Sequence, residues 1–304
     1  MKKGYGSCPG TCGELVQGIS GNKESISSYC IDLFSRVMVW DSDGGDPTYK
    51  TRKRKSLDAI GLVFEHFGYD KSESEKLNII IKSNIPVGKG MASSTADIGA
   101  SVMAVLDYLN RDMSPDLISK LVAKIEPTDS IFHKEVCIFD PINGEVRESL
   151  GLLANKKVLV LEPNSKISTV RLRGNKSYHR DILKNKWLTD NSFEMLKQGF
   201  RSGDVDLIGK ACKNSAFANE LIKKTPFLEE IIEISERHRF DFVNIAHTGT
   251  VVGMVFDEDR NIKNVIDELR DSRISEEYKR IYVRSVIDGG LRRGDYDGRL
   301  HKKT

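Results

Sequence analysis

Eleven residues in the first third of the chain constrain its fold most, because glycines and hydroxyl side chains coincide there with a predicted helix start. The segment 86–96 reads PVGKGMASSTA. The apolar run 77–82 before it predicts a buried strand, and the small residues of 94–109 after it predict a helix. A strand, a glycine-rich loop and a helix in this order bring free backbone N–H groups and the positive end of a helix dipole together. We therefore expect an anion, and specifically a triphosphate, to bind there.

The residue types of this segment support a phosphate-binding loop. Glycines let the backbone turn tightly and approach a ligand, and hydroxyls can bind phosphate or a metal ion. No Lys-Ser or Lys-Thr pair follows a glycine at the spacing of a Walker A loop. The alternative is an ordinary loop with a serine N-cap, in which Lys89 is simply exposed. The predicted nucleotide-binding residues are Pro86, Val87, Gly88, Lys89, Gly90, Met91, Ala92, Ser93, Ser94 and Thr95.

Composition narrows the classes of partner. With 304 residues and 39% apolar content the chain can bury a sizeable core. A net charge of +3 gives no general attraction to nucleic acid or membranes. The chain has no apolar run of 18 residues, so no transmembrane helix is expected. Five cysteines without a secretory leader indicate reduced thiols and a cytoplasmic protein. The small cationic excess is compatible with a polyanionic nucleotide.

Local patterns predict further elements. Ser114 as cap and Pro115 in the first turn predict a helix start, and a helical pattern covers 181–198. Strands are predicted at 25–32, 34–40 and 242–245.

The order of predicted elements indicates an α+β fold rather than a doubly wound sheet, because strands and helices do not alternate regularly. We expect two units, residues 1–150 and residues 151–304, with the boundary near Gly151. The second unit ends in a tail rich in Gly, Arg and Lys from Gly289 onward. The basic segment 50–55 is interpreted as a solvated face.

Three segments in order along the chain resemble the motifs of the GHMP kinases, the family of galactokinase, homoserine kinase, mevalonate kinase and phosphomevalonate kinase. The segment 86–96 resembles the family pattern Pro-x-x-x-Gly-Leu-Gly-Ser-Ser-Ala-Ala, with Met91 in place of Leu and Ala92 in place of the second Gly. The segment 8–14, CPGTCGE, resembles the first motif, and the segment 246–253, AHTGTVVG, resembles the third. Together these motifs span nearly the whole chain.

The resemblance implies an α+β fold of two lobes, with a ribosomal protein S5 domain 2-like N-terminal lobe and a ferredoxin-like C-terminal lobe. It also implies transfer of the γ-phosphoryl group of ATP, with Mg²⁺, to the hydroxyl of a small molecule. Within the family, the segments 9–18, 126–129 and 246–253 resemble the branch that phosphorylates L-threonine for the linker of cobalamin. Homoserine or serine as acceptor, or a nucleotide-binding regulator without catalysis, are the alternatives.

Phosphoryl transfer requires a phosphate cradle, a divalent cation and a group that orients the attacking hydroxyl. The resemblance implies Ser94 and Glu126 as Mg²⁺ ligands and Asp129 as the catalytic base. On the sequence alone Glu126 and Asp129 can exchange roles, and Asp129 can equally cap a turn.

An amino-acid acceptor needs a donor for its carboxylate and an acceptor for its ammonium group. The predicted substrate-binding residues are Glu14, Asn219, Glu220, Thr248, Gly249 and Thr250. A buried polar helix face explains Asn219 and Glu220 equally well. We interpret His247 as a packed, hydrogen-bonded histidine rather than a base.

Overall fold

Antiparallel strands from both halves of the chain join in one sheet in the computed structural model, which describes residues 2–42, 47–167 and 169–294. The strands are β1 (Lys3–Thr11), β2 (Val16–Ser20), β3 (Lys23–Ser27), β4 (Cys30–Asp41), β5 (Leu77–Ser83), β6 (Val136–Asp140), β7 (Glu145–Gly151), β8 (Lys156–Glu162), β9 (Phe242–Ile245), β10 (Val252–Asp257), β11 (Arg280–Ile287) and β12 (Arg292–Arg293). The helices are α1 (Arg54–His66), α2 (Lys71–Glu75), α3 (Ser93–Leu109), α4 (Pro115–Ala123), α5 (Thr169–Arg173), α6 (Tyr178–Lys184), α7 (Lys186–Ser202), α8 (Val205–Asn219), α9 (Leu228–Arg237), α10 (Lys263–Asp271) and α11 (Ile274–Glu277).

The larger sheet connects the two halves of the chain. As far as the chain is described, its strand order is β12-β1-β4-β11-β8-β10-β9, with β5 paired to β4. The late strand β11 lies between β4 and β8, and pairs Val286 with Ile31 and Tyr282 with Val160. A second sheet has the order β2-β3-β6-β7. The α+β class is confirmed, whereas a division into two units at residue 151 stays a prediction. The predicted basic tail falls partly on residues 295–304, outside the described residues.

Helix α3 begins at the phosphate loop and is largely buried in the core. It packs on β1, where glycines allow close contact: a Cβ at Gly4 would lie 2.1 Å from the carbonyl oxygen of Ala104, and one at Gly6 would lie 2.5 Å from that of Ala100. The side chains of α3 from Thr95 to Val102 are buried. The middle of α3 is therefore held close against β1, and the buried first half of the helix leads from the phosphate loop to this contact.

Local sequence explains several element boundaries. Ser114 caps α4 by accepting a hydrogen bond from the N–H of Leu117 (3.3 Å), and Pro115 occupies the first turn, as the sequence predicts. The predicted helix 181–198 is instead two helices, α6 and α7, because the chain breaks at Asn185. The side-chain amide of Asn185 donates to the carbonyl of Ala218 (2.7 Å), a tertiary contact that the sequence pattern does not reveal.

In the residues that the structure covers, no helix is long and apolar enough to cross a bilayer.

Candidate active site

A cleft of about 1200 Å³ opens at the N-terminal end of α3. Its walls come from the phosphate loop, from the segment after α4 and from the segment around α5. The lining residues are Glu14, Gln17, Ile26, Lys55, Val87, Gly88, Gly90, Met91, Ala92, Ser93, Ser94, Thr95, Glu126, Pro127, Thr128, Asp129, Pro141, Lys166, Ile167, Arg171, Leu172, Arg173, Gly174, Asn175 and Thr248. The structure thus brings together twelve of the predicted site residues.

The first turn of α3 faces this cleft without a side-chain cap. Its N-cap residue is Ala92, in the left-handed region at φ 56°, and no side chain accepts from the first turn among the described residues. The serine cap considered above is therefore not formed. The N–H groups of a 17-residue helix are left to a ligand, an arrangement that suits an anion.

Lys89 does not point into the cleft, although it lies in the phosphate loop. It is buried, and its ammonium group donates to the carbonyls of Pro163 and Ser165, the latter at 2.6 Å. Burial lowers the pKa of Lys89. The Lys89 carbonyl in turn accepts the N–H groups of Thr250 (2.8 Å) and Val251 (3.2 Å). Lys89 therefore joins the phosphate loop to two other loops rather than binding phosphate with its side chain.

The phosphate loop and the loop of the third motif meet backbone to backbone. Gly90 has φ +78°, and a Cβ there would lie 2.4 Å from the Cβ of Ala246 and 2.9 Å from the Cα of Gly249. Lys223 supports the second loop from behind, since its ammonium group donates to the carbonyls of Gly249 (2.7 Å) and Ala246 (3.1 Å). Burial lowers the pKa of Lys223 to about 8.

Glu126 offers a suitable oxygen for a divalent cation. Its Oε2 pairs with the ammonium group of Lys55, while Oε1 is buried and has no hydrogen-bond partner among the described residues. Ser94 presents an exposed hydroxyl at the first turn of α3, on the same cleft. No group of three or more His, Cys, Asp or Glu residues in the described chain suits a metal by itself. One carboxylate and one hydroxyl nevertheless suffice for Mg²⁺ that is carried on phosphates and water, so the residues fit that ion.

The carboxyl group of Asp129, which lines the cleft, has a raised pKa. Burial, and next the carboxylates of Glu14 and Glu126, raise the pKa of Asp129 to about 7, against a hydrogen bond from the hydroxyl of Thr95. A carboxylate with a pKa near neutrality is suited to accept a proton from a hydroxyl. This environment separates the two acidic residues, because Glu126 forms an ion pair with Lys55, whereas the charge of Arg173 lowers the pKa of Asp129 less than burial and the neighbouring carboxylates raise it.

Glu14 is held by a buried chain of hydrogen bonds. Its Oε2 accepts from the backbone N–H of His247 (2.9 Å) and from the ring Nδ1 (3.2 Å). The ring Nε2 lies 2.8 Å from the hydroxyl of Ser215, which accepts from the N–H of Gln17 (3.1 Å). The ring thus bridges Glu14 and Ser215, and the Ser215 hydroxyl also donates to the carbonyl of Gln17 (3.4 Å). His247 is the packed histidine expected from the sequence.

Six predicted site residues are not among the described residues that line the cleft: Pro86, Lys89, Asn219, Glu220, Gly249 and Thr250. Asn219 donates to the carbonyl of His247 (3.2 Å), so it positions that residue instead of reaching the cleft. Glu220 accepts from the N–H of Thr225 (2.8 Å), which ties down the turn after α8. Thr250 donates its hydroxyl to Ser165 (3.3 Å). These polar groups already form hydrogen bonds within the protein.

Sequence reasoning missed the basic side chains of the cleft. Lys55 belongs to the segment interpreted as a solvated face, and Lys166, Arg171 and Arg173 lie in and before α5, which was not predicted. Arg173 also pairs with Glu24 of β3 (2.7 Å). The run 171–175, Arg-Leu-Arg-Gly-Asn, follows a buried strand and was the available signal for a basic loop beside an anion site.

Comparison with known proteins agrees with this geometry. Residues 54–133 match the GHMP kinases N terminal domain, and residues 196–274 match the GHMP kinases C terminal region. The chain belongs to the GHMP kinase family. It is an ATP-dependent small-molecule kinase, and the cleft at the start of α3 is lined by residues from all three of the motif-like segments.

Among similar proteins, an L-threonine kinase of Citrobacter freundii is 28% identical over 291 residues, covering 93% of this chain and 97% of that relative. An L-threonine kinase of Salmonella typhimurium strain LT2 is 27% identical over 291 residues, covering 94% of each. The crystal structure of homoserine kinase from Cytophaga hutchinsonii superposes with a TM-score of 0.69 at 15% identity, covering 96% of this chain and 98% of that one. The last likeness shows the two-lobed α+β fold alone.

Replacement of Gly90 by Ala tests the backbone contact between the loops. Gly68 has the same φ of +78° but nothing within 4 Å of an added Cβ, so Gly68→Ala is a matched control. The control should lose about 1–2 kcal/mol of unfolding free energy through the left-handed backbone, and Gly90→Ala should lose about 1–3 kcal/mol more through overpacking. Urea unfolding measures both, and equal losses would contradict the close contact.

Replacement of Asp129 by Asn should stabilise the ligand-free protein at pH 8. Because the pKa of Asp129 is raised from 3.8 to about 7, its contribution to stability is present below pH 3.8 and is lost as the pH rises through 7. The melting temperature of the Asn variant should exceed that of the parent by a few degrees at pH 8. The difference should shrink as the pH falls to 5.

A carboxyl group with the opposite shift provides the control for this measurement. Burial raises the pKa of Asp140, but hydrogen bonds from Asn143 and Arg147 outweigh burial and lower it. Asp140→Asn should therefore lower the melting temperature at pH 8. If calorimetry at pH 8 finds that both substitutions change the melting temperature in the same direction, the raised pKa of Asp129 is ruled out.

Proposed function

We propose that this chain transfers the γ-phosphoryl group of ATP to the side-chain hydroxyl of L-threonine, giving O-phospho-L-threonine for the linker of the cobalamin nucleotide loop. The observation that carries the proposal is the cleft that joins an uncapped helix N-terminus to Asp129, a carboxyl group with a pKa of about 7. The nearly full-length similarity to L-threonine kinases supports the choice of acceptor. A cytoplasmic location accompanies this function as a prediction.

The phosphates of ATP bind at the first turn of α3, where the N–H groups and the helix dipole offset their charge. The hydroxyls of Ser93, Ser94 and Thr95 add donors at the same place. Asp129 orients the acceptor hydroxyl and takes its proton as the oxygen attacks the γ-phosphorus. The bond from that phosphorus to the bridging oxygen breaks, and ADP leaves with the electron pair.

Ser94 and Oε1 of Glu126 would hold Mg²⁺, and the ion would supply charge neutralisation for the phosphates. Glu126 is the ligand and Asp129 the base in this assignment, because Glu126 pairs with the cation of Lys55 whereas burial raises the pKa of Asp129.

Glu14 takes the ammonium group of the acceptor. Its carboxylate lines the cleft, and it is among the charges that raise the pKa of Asp129, so the two lie near each other. His247 occupies only Oε2 of Glu14 in the described contacts, which leaves Oε1 for the substrate. An acceptor that carries both an ammonium and a hydroxyl group therefore suits this end of the cleft.

The deciding experiment measures ADP release by the purified chain with Mg-ATP and L-threonine, L-serine, L-homoserine, mevalonate or galactose, with the product identified by mass. Turnover confined to L-threonine is expected. Turnover confined to another hydroxy compound would keep the kinase chemistry and overturn the acceptor. ATP binding without turnover of any acceptor would favour a regulator.

Asp129→Asn should lower kcat by about 10²-fold or more, because the variant cannot accept the hydroxyl proton. In the parent, kcat/KM should rise with pH and level off above about pH 7, since the base must be ionised. Steady-state kinetics from pH 5.5 to 8.5 test both. A variant with parental kcat would remove the base assignment while leaving ATP binding intact.

A further inference from the structure

The first turn of α1 carries cations where a helix favours acids. Lys53 is the N-cap, Arg54 and Lys55 follow, and the first turn has no acidic residue. Cations at a helix N-terminus oppose the dipole, so this segment is locally unfavourable. Such conflicts between local preference and structure are expected at functional sites. Lys55 is the residue of this group that lines the cleft.

The Lys55 ammonium group has more N–H donors than its described hydrogen bond uses. In the described part of the chain, its hydrogen-bond partner is Oε2 of Glu126, and a protonated lysine has three N–H donors. The Lys55 side chain is 41% exposed and lines the cleft, so a ligand bound there can reach the remaining donors. Glu126 also contributes to the raised pKa of Asp129, so the two carboxyl groups lie near each other. Lys55, which pairs with Glu126, therefore lies at the same end of the cleft as Asp129.

We propose that Lys55 is a catalytic residue that binds the terminal phosphoryl group of the nucleotide. One N–H of its ammonium group stays on Oε2 of Glu126, and the others donate to oxygens of the transferred phosphate. The same contact keeps Oε1 of Glu126 turned toward the metal position. This inference rests on the proposed function, because it assumes a nucleoside triphosphate in the cleft.

A neighbouring ion pair provides a matched control. Lys53 pairs with Asp97, and the exposed fractions of the two side chains are 42% and 10%, against 41% and 12% for Lys55 and Glu126. Lys53 is not among the described residues that line the cleft, and the second oxygen of Asp97 accepts from Ser35 (2.6 Å). Lys53→Met therefore removes an equivalent ion pair without touching the phosphate.

The experiment is calorimetric titration of the full chain with ATP, ADP and AMP in EDTA, where no metal contributes. Lys55→Met should weaken ATP binding about 10-fold or more, as expected for a charged hydrogen bond, with a smaller effect on ADP and little on AMP. Lys53→Met should bind all three as the parent does. Lys55→Arg should recover most of the ATP affinity, and Lys55→Met should lower kcat on the order of 10²-fold.

Equal ATP affinity of Lys55→Met and Lys53→Met in EDTA would overturn the proposal, even if the Mg²⁺ requirement of Lys55→Met rose. If Lys55→Met unfolds, Lys55→Gln replaces it in the same titration. Failure of the parent to bind ATP would overturn the proposed function and this inference together. ATP binding that is unchanged by the loss of Lys55 would overturn this inference alone.

Discussion

The cleft depends on two loops that meet without side chains between them. Gly90 approaches Gly249 so closely that neither position has room for a Cβ, and the carbonyl of Lys89 accepts two N–H groups from the facing loop. These contacts join a loop that precedes α3 to one between β9 and β10. Since the loops belong to opposite halves of the chain, the first turn of α3 acquires its opposite wall only when both halves are folded.

The three carboxyl groups of the cleft differ in the partners that surround them. Glu14 is held by His247, Glu126 is paired with Lys55, and Asp129 has the Thr95 hydroxyl beside it. Burial of three acids in one cleft is costly unless each finds a partner. The least compensated group, Asp129, is the one whose pKa rises toward neutrality. The cleft therefore holds one carboxyl group with a pKa near neutrality beside two that have polar partners.

The sequence predicted the elements that have strong patterns and missed those without them. Strand β9 was predicted with its observed bounds, because apolar residues fill three of its four positions. Strands β1 and β2 were missed, since glycine, serine and cysteine obscure the alternation that marks a strand. In the site, the glycine-rich loop was found from local chemistry. The direction of Lys89 and the partner of Lys55, 71 residues away, depend on tertiary contacts that no local pattern contains.

The two ends of the cleft rely on different kinds of chemical group. The phosphate end uses backbone N–H groups and a helix dipole, which many sequences can supply as long as the glycines remain. The other end uses the side chains of Glu14, His247 and Ser215, where each group fixes the orientation of the next. His247 belongs to the loop that Gly90 contacts, so these side chains are coupled to the phosphate loop through Ala246 and Gly249. The phosphate end therefore depends on backbone geometry, whereas the other end depends on the identity of its side chains.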